Sequence, residues 1–173
     1  KTLFPYTTLF RSQVLDRPYI IAPQNILFEN KNPVGYSMKY VDTSDSFPLA
    51  QALSKSYRER EHIDNNSVIN ICKKLKEGFD FVHSKKCLIV DANENNFLIS
   101  KSLDTVYFID VNSYQTPHFN ATAIMSAIRD WRSNKFSELT DWFSYAVLTF
   151  NLFIGIHPFR GGNHPKVTVK EPE

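Results

Sequence analysis

The chain has 173 residues, 42% of them hydrophobic, which is material for one core rather than several. With 20 Lys and Arg against 18 Asp and Glu the formal charge is +2, too near balance to argue for nucleic acid or an anionic membrane as partner. No stretch approaches the roughly 18 uncharged apolar residues of a membrane helix, and the two cysteines lack metal spacing, which points to reduced buried thiols in a cytoplasmic setting.

Residues 1–12, KTLFPYTTLFRS, stand apart. From Thr2 onward they match a reading-frame translation of a common sequencing adapter, so they are set aside from the fold as an artefact. The alternative is a short natural strand, TLFPYTTLF. Without Lys1 and Arg11 the balance is 18 against 18 and the net charge is zero. On the artefact reading the gene is expected to extend upstream of this chain.

Residues 20–42, IIAPQNILFENKNPVGYSMKYVD, read as two strands joined over 30–33, because Asn-Lys-Asn-Pro is strong turn chemistry. Residues 47–60, FPLAQALSKSYRER, read as a short helix. Asp64, Asn65 and Asn66 are N-cap candidates for a longer one. Within it Val68, Ile71, Cys72, Leu75, Phe79 and Val82 recur at helical steps and form one apolar stripe. Lys73, Lys74, Lys76, Glu77 and Asp80 make the solvated face. This helix is expected to run to His83 and Ser84 and hand over to a strand at 87–90.

Further on, Thr140 or Asp141 is the expected N-cap of a helix in which Tyr145, Ala146, Val147, Leu148, Phe150, Leu152 and Phe153 leave almost no polar face. A helix apolar all round is expected to be buried. Gly155 ends it and Pro158 forbids its continuation. His83 and His157 read as capping or packed residues. His62, His118 and His164 have no ligand spacing with Cys or acidic residues, so no zinc is assigned.

The chemistry is concentrated in LIVDANENNFLIS (residues 88–100) and VYFIDVN (residues 106–112). An apolar run delivers Asp91, Asn96 follows, and a second strand delivers Asp110. Taken singly, each is also what a polar turn between strands looks like, since Asp and Asn bond their own backbone. Together, an Asp, an Asn and an Asp at one mouth are what phosphoryl transfer requires. One carboxylate orients the acceptor hydroxyl; an amide oxygen and a second carboxylate hold Mg²⁺.

These two stretches, followed by TDWFSYAVLTFNLFIGIHPFRG (residues 140–161), resemble the protein-kinase-like fold in order and spacing over roughly residues 18–161. The likeness is nearest to a bacterial branch fused to helix-hairpin-helix modules, here on IVDANENN and FIDVN. It implies an α+β chain with a remnant of an N-lobe sheet plus a mainly helical C-lobe. Residues 13–42 would supply N-lobe strands and hinge, and 43–173 an incomplete C-lobe.

The resemblance also implies roles. Asp91 would be the catalytic base, with Asn93 where Ser/Thr kinases commonly carry a Lys toward the transferred phosphate. Asn96 and Asp110 would be Mg²⁺ ligands. Leu98 would lie beneath the adenine of ATP, Met38 would be the gatekeeper, and Lys39, Tyr40 and Val41 would offer hinge backbone groups. For Met38 an ordinary place in the core of a small sheet is the alternative. Asp141 would accept hydrogen bonds from the catalytic-loop backbone. The implied partners are ATP and a hydroxyl acceptor, a protein Ser or Thr, in a bacterial or phage-infected cell.

The departures carry weight too. Ile89-Val90 replace the family's His-Arg, and Asp110-Val111-Asn112 replace Asp-Phe-Gly, with Asn112 expected to tolerate positive φ in place of Gly. No Ala-Pro-Glu element appears between Asn112 and Thr140. The 5 glycines, at 35, 78, 155, 161 and 162, form no G-x-G-x-x-G. A Gly-rich loop, a strand Lys and a helix Glu are therefore expected upstream of this chain, which alone is expected to be inactive. The competing reading is a pseudokinase that binds nucleotide or a partner without transfer.

Overall fold

The computed structural model describes residues 14–121 and 124–160. The adapter-like segment 1–12 and the terminal GGNHPKVTVKEPE lie outside the described residues.

Strands β1 (Pro23–Glu29) and β2 (Asn32–Met38) form an antiparallel hairpin with Glu29 opposite Asn32. Its two loop residues, Asn30 (φ 49°) and Lys31 (φ 66°), both take the positive φ that matches the twist of paired strands. The hairpin carries little core: Leu27, Phe28 and Val34 are exposed.

A second antiparallel sheet, in the order β3-β4-β5, joins β3 (Ser46–Pro48), β4 (Phe97–Ser100) and β5 (Val106–Phe108). The single helix expected over 47–60 is broken. Phe47 and Pro48 belong to β3, and two short helices follow, α1 (Leu49–Ala52) and α2 (Lys55–Arg60). Ser54 causes the break, because its hydroxyl accepts the Tyr57 N–H and so starts a new helix. Arg58 Nη1 donates to the Leu152 carbonyl at 2.6 Å and ties α2 to the far end of the helix over residues 138–154.

Helix α3 (Asn65–Ser84) begins at Asp64, whose carboxylate accepts the Ser67 N–H at 2.7 Å. Its predicted stripe is the buried face, extended by Gly78 and His83. On the wet side Lys74–Glu77 and Lys76–Asp80 pair at 3.0 and 2.6 Å, exposed contacts worth about 0.3–0.5 kcal/mol each.

Helix α4 (Glu138–Ile154) starts earlier than the sequence suggests. Ser137 is the N-cap, and Thr140 completes a reciprocal capping box: the Ser137 N–H donates to Thr140 Oγ1 at 2.9 Å, and the Thr140 N–H donates to Ser137 Oγ. Asp141 is thereby placed inside the first turn, facing α3. The expectation of burial on every side fails for the described residues. Thr140, Asp141, Ser144, Val147, Leu148 and Leu152 face the core, whereas Leu139, Phe150, Phe153 and Ile154 are exposed. Gly155 closes the helix at φ 81°, its N–H on the Asn151 carbonyl.

Phe79 is the centre of the core, fully buried. The rings of Phe97, Phe108, Trp142 and Tyr145 surround it at 5.4–6.4 Å between centroids. Gly78 beside it is a packing requirement: a Cβ there would overlap the Phe108 ring. Burying a ring this fully is worth about 1.5–3 kcal/mol, so β5 is pinned by its aromatic contacts more than by its three residues of pairing. Among the described residues no helix is long and apolar enough to cross a membrane.

Candidate active site

The strand expected at 87–90 is reduced to one bridge, Leu88 with Gln115, at 2.8 and 2.9 Å. The chain then turns sharply. The Asp91 N–H donates to the Ile89 carbonyl at 2.8 Å, and between them Val90 sits at φ 64°. A β-branched residue at positive φ inside a three-residue turn is strained. What holds it is Asp141, wholly buried, whose Oδ2 accepts the Ile89 N–H at 2.8 Å and whose Oδ1 accepts the Val90 N–H at 2.9 Å. A third bond comes from His83 Nε2 on α3, 2.9 Å from Asp141 Oδ2. Against an ionised carboxylate that nitrogen is the donor. Two helices and one loop therefore meet on a single carboxylate.

The turn aims Asp91 outward, where its side chain is half-buried and braced from several directions. Asp91 Oδ1 accepts the Met125 N–H at 2.8 Å, and Oδ2 accepts Asn93 Nδ2 at 2.9 Å. Asn96 Nδ2 donates to the Asp91 main-chain carbonyl at 2.8 Å. Asn93 is 3% exposed, and its Oδ1 accepts the Asn95 N–H at 2.9 Å. Both ends of that amide are thus used inside the loop, where it braces Asp91.

Asn96 and Asp110 are brought to the same mouth by the sheet. Asn96 immediately precedes β4, Asp110 lies just beyond β5, and the Ile109 N–H donates to the Asn96 carbonyl at 3.0 Å. Asp110 itself occupies the left-handed region at φ 56°. Asn112, expected there, lies instead in the 3-10 turn Val111–Ser113. An Asp tolerates that conformation better than Val111 would, so the kink falls one residue before the apolar anchor.

Asp110 is open to solvent on one side. Partial desolvation still lifts its carboxyl above the usual range. A bond with Ser113 works in the opposite direction, and the negative charge of Asp91 pushes the carboxyl further up. Two carboxylates that repel one another, beside an amide whose nitrogen is already committed and whose oxygen is left as acceptor, form a hard oxygen donor set. That chemistry fits Mg²⁺, which favours a few oxygen ligands and keeps several waters.

The residues proposed for adenine lie apart from this trio. Leu98 is half-buried in β4, opposite Pro48 and Tyr107. Lys39, Tyr40 and Val41 line a shallow cavity of about 210 Å³ that also takes in Tyr107. Met38 ends β2 opposite Pro23 and is 41% exposed, so it is neither enclosed at the back of a pocket nor part of a core. His83 and Met125 were not singled out as site residues by the sequence. The signal for His83 was there, since it falls four residues after Phe79 on the apolar stripe.

The protein kinase domain family matches residues 11–171. The chain belongs to that family. It is 25% identical over 148 residues to myosin light chain kinase 3 of Rattus norvegicus, covering 78% of this chain and 17% of that protein. A probable serine/threonine-protein kinase of Dictyostelium discoideum is 19% identical over 136 residues, 75% of this chain and 10% of its own length. The chain therefore spans less than a fifth of these curated relatives.

Among solved structures, the yeast RNA Pol II CTD kinase CTDK-1 complex superposes with a TM-score of 0.70 at 20% identity, over 94% of this chain and 55% of that one. The Cydia pomonella granulovirus kinase PK-1 gives 0.66 at 14% identity, over 91% and 57%. The α+β kinase-like fold is common to all three.

Proposed function

We propose that this chain is the hinge-to-central-helix portion of an ATP-dependent phosphotransferase that moves a γ-phosphoryl group to a hydroxyl, in the first instance a protein Ser or Thr. The observation that carries this reading is the mouth formed by Asp91, Asn96 and Asp110, braced from behind by Asp141. Residues 13–42 are read as N-lobe strands and hinge, and 43–173 as C-lobe.

In this scheme Asp91 takes up or orients the acceptor's proton, held in place by the Met125 N–H and the Asn93 amide. Asn96 Oδ1 and the Asp110 carboxylate would hold Mg²⁺, which when bound neutralises charge on the nucleotide phosphates. Leu98 and the backbone of residues 38–41 would receive the adenine. Catalysis then consists of positioning and charge neutralisation, which is why a rigid base matters more than a reactive one.

The finer likeness to the bacterial branch rests on IVDANENN and FIDVN, and the cytoplasmic setting on two buried thiols, Cys72 and Cys87. The pseudokinase reading draws support from Asn93, which brings no positive charge to the phosphate and is spent on bracing the loop.

The test is a labelled-ATP transfer assay on a gene extended upstream and downstream, comparing wild type with Asp91→Asn. The variant should bind nucleotide normally and transfer about 10²–10⁴-fold more slowly, as loss of a general base does. A wild type that binds ATP and Mg²⁺ but labels nothing would replace the phosphotransferase with the pseudokinase.

A further inference from the structure

A cavity of about 510 Å³ lies outside the trio and is unused by the scheme above. One wall runs from Ser126 to Arg132, and the residue before it in the chain, Met125, donates its N–H to Asp91 at 2.8 Å. That wall is fixed at two points: Ser144 Oγ of α4 donates to the Ile128 carbonyl at 2.9 Å, and His157 Nε2 lies 2.8 Å from the Ala127 carbonyl. Because His157 Nδ1 accepts the Phe159 N–H, Nε2 must carry the proton, and the imidazole clamps both sides of the cavity.

The lining is aromatic with cations among it. Trp131, Phe143 and Phe159 supply the apolar surface, and Arg129, Arg132 and Arg160 the guanidinium groups. Arg132 is paired with Asp130 at 3.0 Å. Among the described residues Arg129 and Arg160 have no ion-pair partner; Arg129 stacks over Trp131 at 4.6 Å. This cavity has a cationic surplus in a chain that is nearly neutral. Its rings are not an open stacking platform for bases. Phe143 and Phe159 stack on each other, and Arg129 covers one face of Trp131.

We propose that this cavity docks an acidic acceptor peptide, with an Asp or Glu carboxylate on Arg129 and Arg160 and an adjoining apolar side chain against Trp131 and Phe159. Planar guanidinium groups match carboxylates in a two-pronged geometry, and the short chain path from Met125, bonded to Asp91, into the Ser126–Arg132 wall would set the distance from acidic residue to acceptor hydroxyl. The assignment names the acceptor class for the proposed phosphotransferase and so rests on that reading, but docking can be measured without transfer.

The experiment titrates the 173-residue chain into fluorescein-labelled peptide pools with a central Ser and Leu, whose other positions are fixed as Glu, Ala or Lys, followed by anisotropy. The Glu pool should bind about tenfold more tightly than the Ala pool, and the Lys pool more weakly than either. Paired Arg129→Ala and Arg160→Ala should erase the preference, and paired Arg129→Glu and Arg160→Glu should turn it toward Lys, with unchanged melting in both. Equal binding of all pools, a Glu preference that survives charge reversal, or oligo-dT displacing the Glu pool at lower concentration than Ala peptides do would each overturn it. Acidic selectivity without transfer in the extended protein would remove the phosphotransferase and leave the docking site. Transfer without acidic selectivity would do the reverse.

Discussion

Two places in this molecule use the same side chain to opposite ends. At the closed corner, Asp141 is fully buried, and its two oxygens are surrounded by the Ile89 and Val90 N–H groups and His83. At the open mouth, Asp91 and Asp110 stand partly in solvent, and the charge of Asp91 adds to the desolvation that disfavours ionised Asp110. The corner converts a carboxylate into architecture by using up its acceptor capacity. The mouth keeps capacity in reserve and tolerates like-charge repulsion, a cost that a folded protein bears where it binds something. The chemistry proposed for the mouth depends on the corner, since the strained turn at Val90 aims Asp91 and Asp141 accepts two of that turn's N–H groups.

The contrast can be broken most forcefully at the mouth. Asp110→Ala in an extended, active protein should lower transfer by about a thousandfold or more, because a charge-stabilising ligand is lost. Its stability should fall by no more than about 1 kcal/mol, the scale of placing Ala at the positive φ that Asp110 holds at an exposed site. A large loss of stability would show that Asp110 is architectural after all. The ionised form of Asp110 is disfavoured by desolvation and then by Asp91. Protons therefore compete with the cation, and Mg²⁺ affinity should fall as pH falls through that raised value. Asp91→Asn removes one cause and should move this fall toward lower pH in a Mg²⁺ titration.

At the corner the ranking reverses, and stability is what changes. Asp141→Ala leaves two buried N–H groups and an imidazole without their acceptor, at about 1–3 kcal/mol for each unpaired donor, and frees the turn at Val90. Denaturant unfolding should show the largest loss of any single change in this set, and Asp141→Asn a smaller one. If Asp141→Ala melts like wild type, the corner is not holding the loop.

Behind the corner, Gly78→Ala should cost about 1–3 kcal/mol by overpacking against Phe108, despite alanine's better helix propensity. Phe108→Leu should recover part of it in the same unfolding experiment. The smallest effect belongs to the hairpin. Lys31 sits at φ 66°, so Lys31→Gly should stabilise β1–β2 by about 1 kcal/mol. Amide exchange should slow in the hairpin and stay unchanged in α3.

Much of this was legible along the chain. The α3 stripe, the Asp64 cap, the Gly155 stop and the turn expected over residues 30–33 are local signals, written within one or two helical turns or one loop, and the structure realises them nearly as read, with the turn narrowed to Asn30 and Lys31. Where the reading slipped, a neighbour close in sequence had outcompeted the expected residue. Ser137 took the cap from Thr140 by forming the reciprocal box, Ser54 cut a helix in two, and Asp110 took the positive φ expected at Asn112.

The site divides in the same way. Sequence alone singled out Asp91, Asn96 and Asp110 as candidates, because an Asp, an Asn and an Asp delivered by successive short strands are chemically restrictive before any coordinates exist. It also determined the buried face of α3, because its apolar residues recur at helical steps. Only the tertiary structure decided that His83 shares Asp141 with the loop, that Met125 reaches back to Asp91 across 34 positions, and that Gly78 is a glycine because Phe108 lies against it. Those are contacts between elements far apart in the chain. No local periodicity encodes them, since each depends on where packing finally sets one backbone against another.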